Sequence, residues 1–97
     1  NLMLNQNFDL KIVDFGFAAA VQGIRGIGRL QTYCGTPQYM APEIHQRKEY
    51  SGVSVDIFAA GKILFVMVAG YFPFDEAIPS DPKYNLIASN RADEFWY

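Results

Sequence analysis

Gly35-Thr36-Pro37-Gln38-Tyr39-Met40-Ala41-Pro42-Glu43 sits between Asp14-Phe15-Gly16 upstream and Val55-Asp56-Ile57-Phe58-Ala59-Ala60-Gly61 downstream, in a chain of 97 residues. Gly35-Thr36-Pro37 is turn chemistry. Pro42 stands where a first helical residue needs no N–H, and Glu43 falls in the first turn, where the helix dipole favours an anion. The spacing predicts a short helix over 43–48. Ser51-Gly52-Val53-Ser54 then interrupts the chain, with Ser54 as the expected cap of a second helix from Val55 to Ala69 or Gly70. That helix is apolar nearly all round: Ile57, Phe58, Ala59, Ala60, Ile63, Leu64, Phe65, Val66, Met67, Val68. A helix without a polar face has surface to bury on every side, more than the rest of a 97-residue chain can cover. Gly70 is the expected stop, Pro73 a breaker, and Ser80 or Asp81 the expected cap of a last helix from Pro82 or Lys83 to Asn90.

Working back toward the start, Leu2-Met3-Leu4 is a short apolar run, and Asn5-Gln6-Asn7 carries turn residues. Phe8, Leu10 and Ile12 then alternate with Asp9, Lys11 and Val13 at the period of a strand. A hairpin turning near Gln6 sets Asn1 opposite residues 11 to 12, so an amide oxygen and the Asp14 carboxylate share its open end. From Phe15 to Pro42 there is no acidic residue and no sustained periodicity, and the stretch holds five of the eight glycines. Long structureless segments inside compact domains are usually functional or disordered. Arg25 and Arg29 make this one locally positive. Gly23, Gly26 and Gly28 match neither the dinucleotide fingerprint nor a Walker loop and read as loop flexibility.

Composition narrows the function classes. The apolar fraction is 51%, the aromatic fraction 15% and the mean hydropathy +0.01, which excludes disorder as the main state. The net charge is −2, with the cations scattered, so there is no basic stripe for a nucleic acid and no polybasic anchor. The single cysteine, Cys34, forbids an internal disulfide. The longest apolar run, 63–74, counts 12 residues between Lys62 and Asp75 and is broken by Pro73, short of the roughly 20 a membrane span needs. His45 stands alone, without a metal-binding or general-base partner. The chain starts without a signal peptide or an initiator Met, and it stops on Phe95-Trp96-Tyr97, so both ends read as cut.

The succession Asp14-Phe15-Gly16, Gly35-Thr36-Pro37-Gln38-Tyr39, Ala41-Pro42-Glu43, Val55-Asp56 and Gly70-Tyr71-Phe72-Pro73-Phe74 resembles the eukaryotic protein kinases. Each tripeptide alone is weak, but DFG followed 27 residues later by APE, with GTPxY just ahead of it and an Asp-led apolar helix behind, is a specific order. The resemblance covers essentially the whole chain. It implies an α+β class, a partial kinase C-lobe. A small β-hairpin (1–14) would be followed by a long activation loop (14–43) and a mainly α-helical region, with a central apolar helix at 55–70 and a later one at 82–90. It also implies Ser/Thr specificity, ATP and Mg²⁺ as cofactors, and an intracellular, cytoplasmic setting. The expected partners are a protein substrate offering Ser or Thr, the remainder of the kinase domain and an upstream activating kinase.

Carried over residue by residue, Asp14 matches the DFG aspartate that positions Mg-ATP, and Asn1 matches the asparagine closing the catalytic loop, so both become expected metal and cofactor ligands. A hard cation needs oxygen donors of this kind. Phe15 and Gly16 follow as structural members of the motif. Gly35 and Thr36 match the segment that positions the phosphoacceptor. Thr32 falls where many members carry a regulatory phosphate, with Tyr33 or no modification as the alternatives. Glu43 and Asp56 match residues that organise the lobe. The 30 residues from Asp14 to Glu43 make a long segment, and Phe58 stands where Trp is common. Together with the tail, these features resemble the calcium/calmodulin-dependent-kinase type of protists. The family's glycine-rich loop, VAIK lysine, αC glutamate and general-base aspartate are not among these residues, so the chain alone is expected to be inactive. Two other readings stand beside a piece of an active kinase: a pseudokinase-type binding or scaffold module, and a truncated product without a stable fold.

Overall fold

A computed structural model of the chain describes residues 1–23 and 26–96. Arg25, one of the two cations expected to make the long loop positive, lies outside the described residues. The first hairpin is organised by Asn5, whose side-chain oxygen accepts from the amides of Asn7 and Asp9, both at 2.9 Å. Its amide group in turn donates to the Asp9 carboxylate at 3.1 Å, the local bonding that makes Asn a turn residue. Strands β1 (Leu2–Leu4) and β2 (Leu10–Ile12) pair antiparallel, with Leu2 opposite Ile12 and Leu4 opposite Leu10. The strand predicted from Phe8 therefore begins later, because Phe8 is drawn into the turn at a left-handed φ of 62°. The register also differs by one from the expectation. Asn1 faces Val13, whose N–H donates to the Asn1 carbonyl at 3.0 Å.

The glycine-rich stretch has conformational requirements where the sequence suggested only flexibility. Gly23 has φ +70°, and a Cβ there would stand 2.1 Å from the Arg29 carbonyl oxygen, so no side chain fits. The long segment is then tied down by an isolated bridge, with Leu30 N donating to Tyr50 O at 2.8 Å and Tyr50 N to Leu30 O at 3.1 Å. A 3-10 turn, Pro37–Tyr39, precedes α1 (Pro42–His45). The helix predicted to reach 48 stops early because Arg47 turns left-handed, at φ 55°.

Ser51, not Ser54, caps α2 (Gly52–Ala69): its hydroxyl accepts from the Ser54 amide at 3.4 Å, so the helix starts three residues before the predicted position. At the other end Gly70 closes it as expected, with φ 80° and its N–H on the Val66 carbonyl at 2.8 Å. Asp81 caps α3 (Pro82–Ala88), which ends two residues short of Asn90. There the Ser89 hydroxyl folds back on the Asn85 carbonyl and Asn90 itself turns left-handed, at φ 62°. A further short helix, α4 (Ala92–Phe95), follows in the tail.

Among the described residues the buried ones are few: Ala41, Ile44, Tyr50, Pro73, Phe74, Ala77 and Lys62. Lys62 and Phe74 lie where the 3-10 turn, the middle of α2 and the 71–81 loop meet, and Tyr50 packs on the 30–33 segment. Half of α2 is bare, with Ile57 67%, Met67 77% and Val68 82% exposed. The molecule is a slab of 41 × 39 × 16 Å with a radius of gyration of 15.1 Å. A compact chain of this length would measure about 12.5 Å. At 18 residues α2 is long and apolar enough to cross a bilayer by length and composition, where the 12-residue run counted from the sequence falls short. The lysine near its centre is buried against carbonyls of the protein itself.

Tyr50 shows how the slab holds together. Its hydroxyl donates to the Thr32 carbonyl, its ring lies 6.3 Å from that of Tyr33, and burial, aided by Cys34, Tyr33 and Asp56, pushes its pKa up. Tyr50→Phe should cost about 1 kcal/mol in thermal or chemical denaturation, the worth of one hydrogen bond. Because the folded pKa is the higher one, the phenol's contribution is complete below about pH 10 and is lost as pH rises through the folded value. The Phe variant should lack that alkaline limb.

Candidate functional site

Asp14 closes the hairpin's open end. Its backbone is left-handed, at φ 61°, a conformation that Asp tolerates better than most residues. One carboxylate oxygen accepts from the Gly16 amide at 3.2 Å, and a Cβ on Gly16 would stand at the same 3.2 Å from that oxygen, tighter than ordinary contact. Glycine thus lets the chain turn under the carboxylate. Among the described residues the second oxygen has no donor, and the side chain is exposed. Asn1, also exposed, reaches the same corner through the Val13 hydrogen bond, one step closer to Asp14 than the sequence register implied. A carboxylate oxygen facing solvent is the kind of donor a hard cation takes. Phe15 lies 69% exposed.

The other expected residues lie along the tied-down segment. Thr32 is exposed, and its carbonyl is held by Tyr50. Arg47 stands over the Tyr33 ring at 5.7 Å, and Arg29 lines a cavity of about 370 Å³ together with Thr32. Gly35 has φ 124°, and Thr36 opens the 3-10 turn, its carbonyl accepting from the Tyr39 amide at 3.0 Å. Glu43 is half-buried in α1 and Asp56 is exposed on α2; among the described residues neither has an ion-pair partner. His45 Nε2 lies 3.2 Å from the Pro37 carbonyl, a structural contact.

Lys62 is the residue sequence reasoning missed. It is 4% exposed, the one buried residue of α2, and its ammonium donates to the carbonyl of Gln38 and, at 2.8 Å, to that of Asp75. Its only signal in the sequence is that, with Asp56, it is one of two charges inside an otherwise apolar helix. Burial pushes its pKa down, opposed by Asp75, Asp81 and Glu76.

The corner at Asp14, the turn at 36–40 and helix α2 with Asp56 in its second turn follow one another along the chain, and the model of the protein kinase domain family matches residues 1–94. The chain belongs to the protein kinase family. Among its relatives, CBL-interacting protein kinase 30 of Oryza sativa subsp. japonica is 44% identical over 97 residues, all of this chain and 20% of that protein. CBL-interacting serine/threonine-protein kinase 14 of Arabidopsis thaliana is 51% identical over 76 residues, 78% of this chain and 17% of that one. Another Arabidopsis thaliana relative, CBL-interacting serine/threonine-protein kinase 19, is 50% identical over 76 residues, 78% of this chain and 16% of that protein. The chain spans about a fifth or less of the length of the curated relatives it matches. A kinase segment of this kind accounts for the bare α2, a helix whose remaining faces are apolar. It also accounts for the small α+β architecture, a two-stranded antiparallel hairpin followed by helices.

Proposed function

We propose that this chain is the part of a serine/threonine protein kinase that supplies magnesium ligands and seats the protein substrate, in an enzyme moving the γ-phosphate of ATP to Ser or Thr. The observation that carries the reading is the hairpin register. The Val13 N–H donates to the Asn1 backbone carbonyl at the same end of the hairpin where Asp14 presents a carboxylate oxygen to solvent, which supports reading the two as a ligand pair. Mg²⁺ bound with ATP would bridge and neutralise phosphate charge. Asp14 and Asn1 would hold it, Gly35 and Thr36 would position the phosphoacceptor, and Phe15, Gly16, Glu43 and Asp56 would keep these parts in place. Within the family we favour the calcium/calmodulin-dependent-kinase-like type. Thr32 is the candidate site for an activating phosphate, supported by its exposure and by Arg29 on the same cavity wall.

The expected lysine, αC glutamate and general base are not among the 97 residues. Phosphoryl transfer is mostly positioning and charge stabilisation, so the isolated chain should transfer no labelled γ-phosphate to a Ser/Thr peptide with Mg²⁺-ATP. The protein carrying the complete kinase domain should do so. Transfer by the isolated chain would contradict the first statement. A complete domain that binds ATP without transferring phosphate would replace the enzyme with a pseudokinase-type scaffold.

A further inference from the structure

Lys62 is an expensive residue for its position. An aliphatic side chain would fill the middle of an apolar helix, whereas a buried ammonium is tolerated only when its donors are satisfied. An ammonium carries three donors, and two of these end on carbonyls from different segments, Gln38 in the 3-10 turn and Asp75 in the 71–81 loop. Aromatic faces from the same two segments surround it, with Phe74 at 4.5 Å, Phe72 at 5.6 Å and Tyr39 at 6.0 Å from Nζ, within reach of cation–π attraction. The 3-10 turn has little of its own to hold it. Pro37 has no N–H, Thr36 makes no side-chain cap, and the internal bonds are Tyr39 N to Thr36 O at 3.0 Å and Met40 N to Pro37 O at 3.3 Å. A hydrogen bond is directional where apolar packing is not. The ammonium therefore fixes where the Gln38 carbonyl, and the turn around it, sits relative to α2.

We infer that Lys62 is a positioning residue for the protein substrate: it acts through the Gln38 carbonyl to hold the 36–40 turn in the geometry that receives the peptide around its phosphoacceptor. This rests on the function proposed above, in which Gly35 and Thr36 seat that peptide.

The test uses Lys62→Met in the protein carrying the complete kinase domain. Methionine keeps the unbranched apolar stem and deletes the donors. Losing a charge-assisted hydrogen bond predicts about a tenfold rise in KM for a Ser/Thr peptide, with KM for ATP unchanged. Amide hydrogen exchange at Tyr39 and Met40 should quicken by about the same factor while the α2 amides keep their protection. Lys62→Arg, which retains donors, should recover part of both, and it carries the test alone if the Met variant does not fold. Unchanged exchange over 36–40, or a rise spread equally along α2, would overturn the inference, as would equal losses toward ATP and peptide. If the unsubstituted protein transfers no phosphate, the proposed function fails. The exchange measurement still decides whether Lys62 holds the turn.

Discussion

Asp14→Asn in the complete kinase domain should lower kcat for peptide phosphorylation by about a hundred- to a thousandfold, the usual effect of removing one preorganised electrostatic group. Asparagine is the informative substitution because the local structure survives it. Asp14 sits at φ 61°, which Asn also tolerates, and an amide oxygen can still accept from the Gly16 N–H that now lies at 3.2 Å from the carboxylate. Neither strand of the hairpin uses the Asp14 side chain, since β1 and β2 are paired by their backbones from Leu2–Ile12 to Leu4–Leu10. Stability should therefore change by less than about 0.5 kcal/mol, as at exposed positions generally. What the variant removes is the negative charge at the solvent-facing oxygen, so the Mg²⁺ concentration giving half-maximal rate should rise along with the fall in kcat. Alanine would confuse the result, because a left-handed backbone costs it roughly 1–2 kcal/mol that aspartate partly recovers by local bonding. An Asn variant with wild-type kcat and an unchanged Mg²⁺ dependence would remove Asp14 from the site.

The parts of this site visible in the sequence are those whose chemistry is local. Asp14-Phe15-Gly16 and Ala41-Pro42-Glu43 carry their meaning in consecutive residues, and the all-round apolar face of α2 is a property of its own 18 positions. Gly70 and Asp81 announce helix ends by residue type. Element boundaries depart from the sequence pattern where two local devices compete. Ser51 and Ser54 both suit a cap, and the choice went to Ser51 because its hydroxyl meets the Ser54 amide. Phe8 has strand propensity, but the Asn5 side chain bonds two amides within the loop and draws Phe8 out of the ladder. Such a contest shifts a boundary by two or three residues and leaves the element in place.

Long-range ties have no local signature. Nothing near Tyr50 indicates that its backbone pairs with Leu30 and its hydroxyl with Thr32, yet this contact fixes the long loop against the chain just ahead of α2. Lys62 is the stronger case. In the sequence it bounds an apolar run, which suggests an exposed edge. In the structure it is the residue α2 buries most deeply, because the carbonyls that satisfy it come from 24 residues upstream and 13 downstream. A polar residue in an apolar helix is satisfied by whatever tertiary structure brings to it, and hydropathy cannot report that.

Asp81→Ala should destabilise the folded protein by about 2–3 kcal/mol in chemical denaturation, more than an ordinary helix cap, because the carboxylate does two jobs. One oxygen caps α3, accepting from Lys83 N at 3.1 Å and Tyr84 N at 3.0 Å, and the other accepts from Asp75 N at 3.0 Å and Glu76 N at 3.1 Å. Burial alone would raise the pKa of this carboxyl, but the four amide donors outweigh it and hold the group below its ordinary value. A folded pKa below the unfolded one means the stabilisation is complete above about pH 4 and drains away as pH falls through the folded value. Asp81→Asn, a comparable cap without the titration, should flatten this acid limb while costing less than Ala at neutral pH. An unaltered acid midpoint in the Asn variant would show that the carboxylate is not the group whose protonation matters. The second oxygen also ties Asp81 to Lys62, since the amide it holds belongs to Asp75, whose carbonyl receives the ammonium. Asp81→Ala and Lys62→Met should accordingly be non-additive. Each frees the 71–81 loop that the other depends on, so the double variant should lose less stability than the two single losses combined.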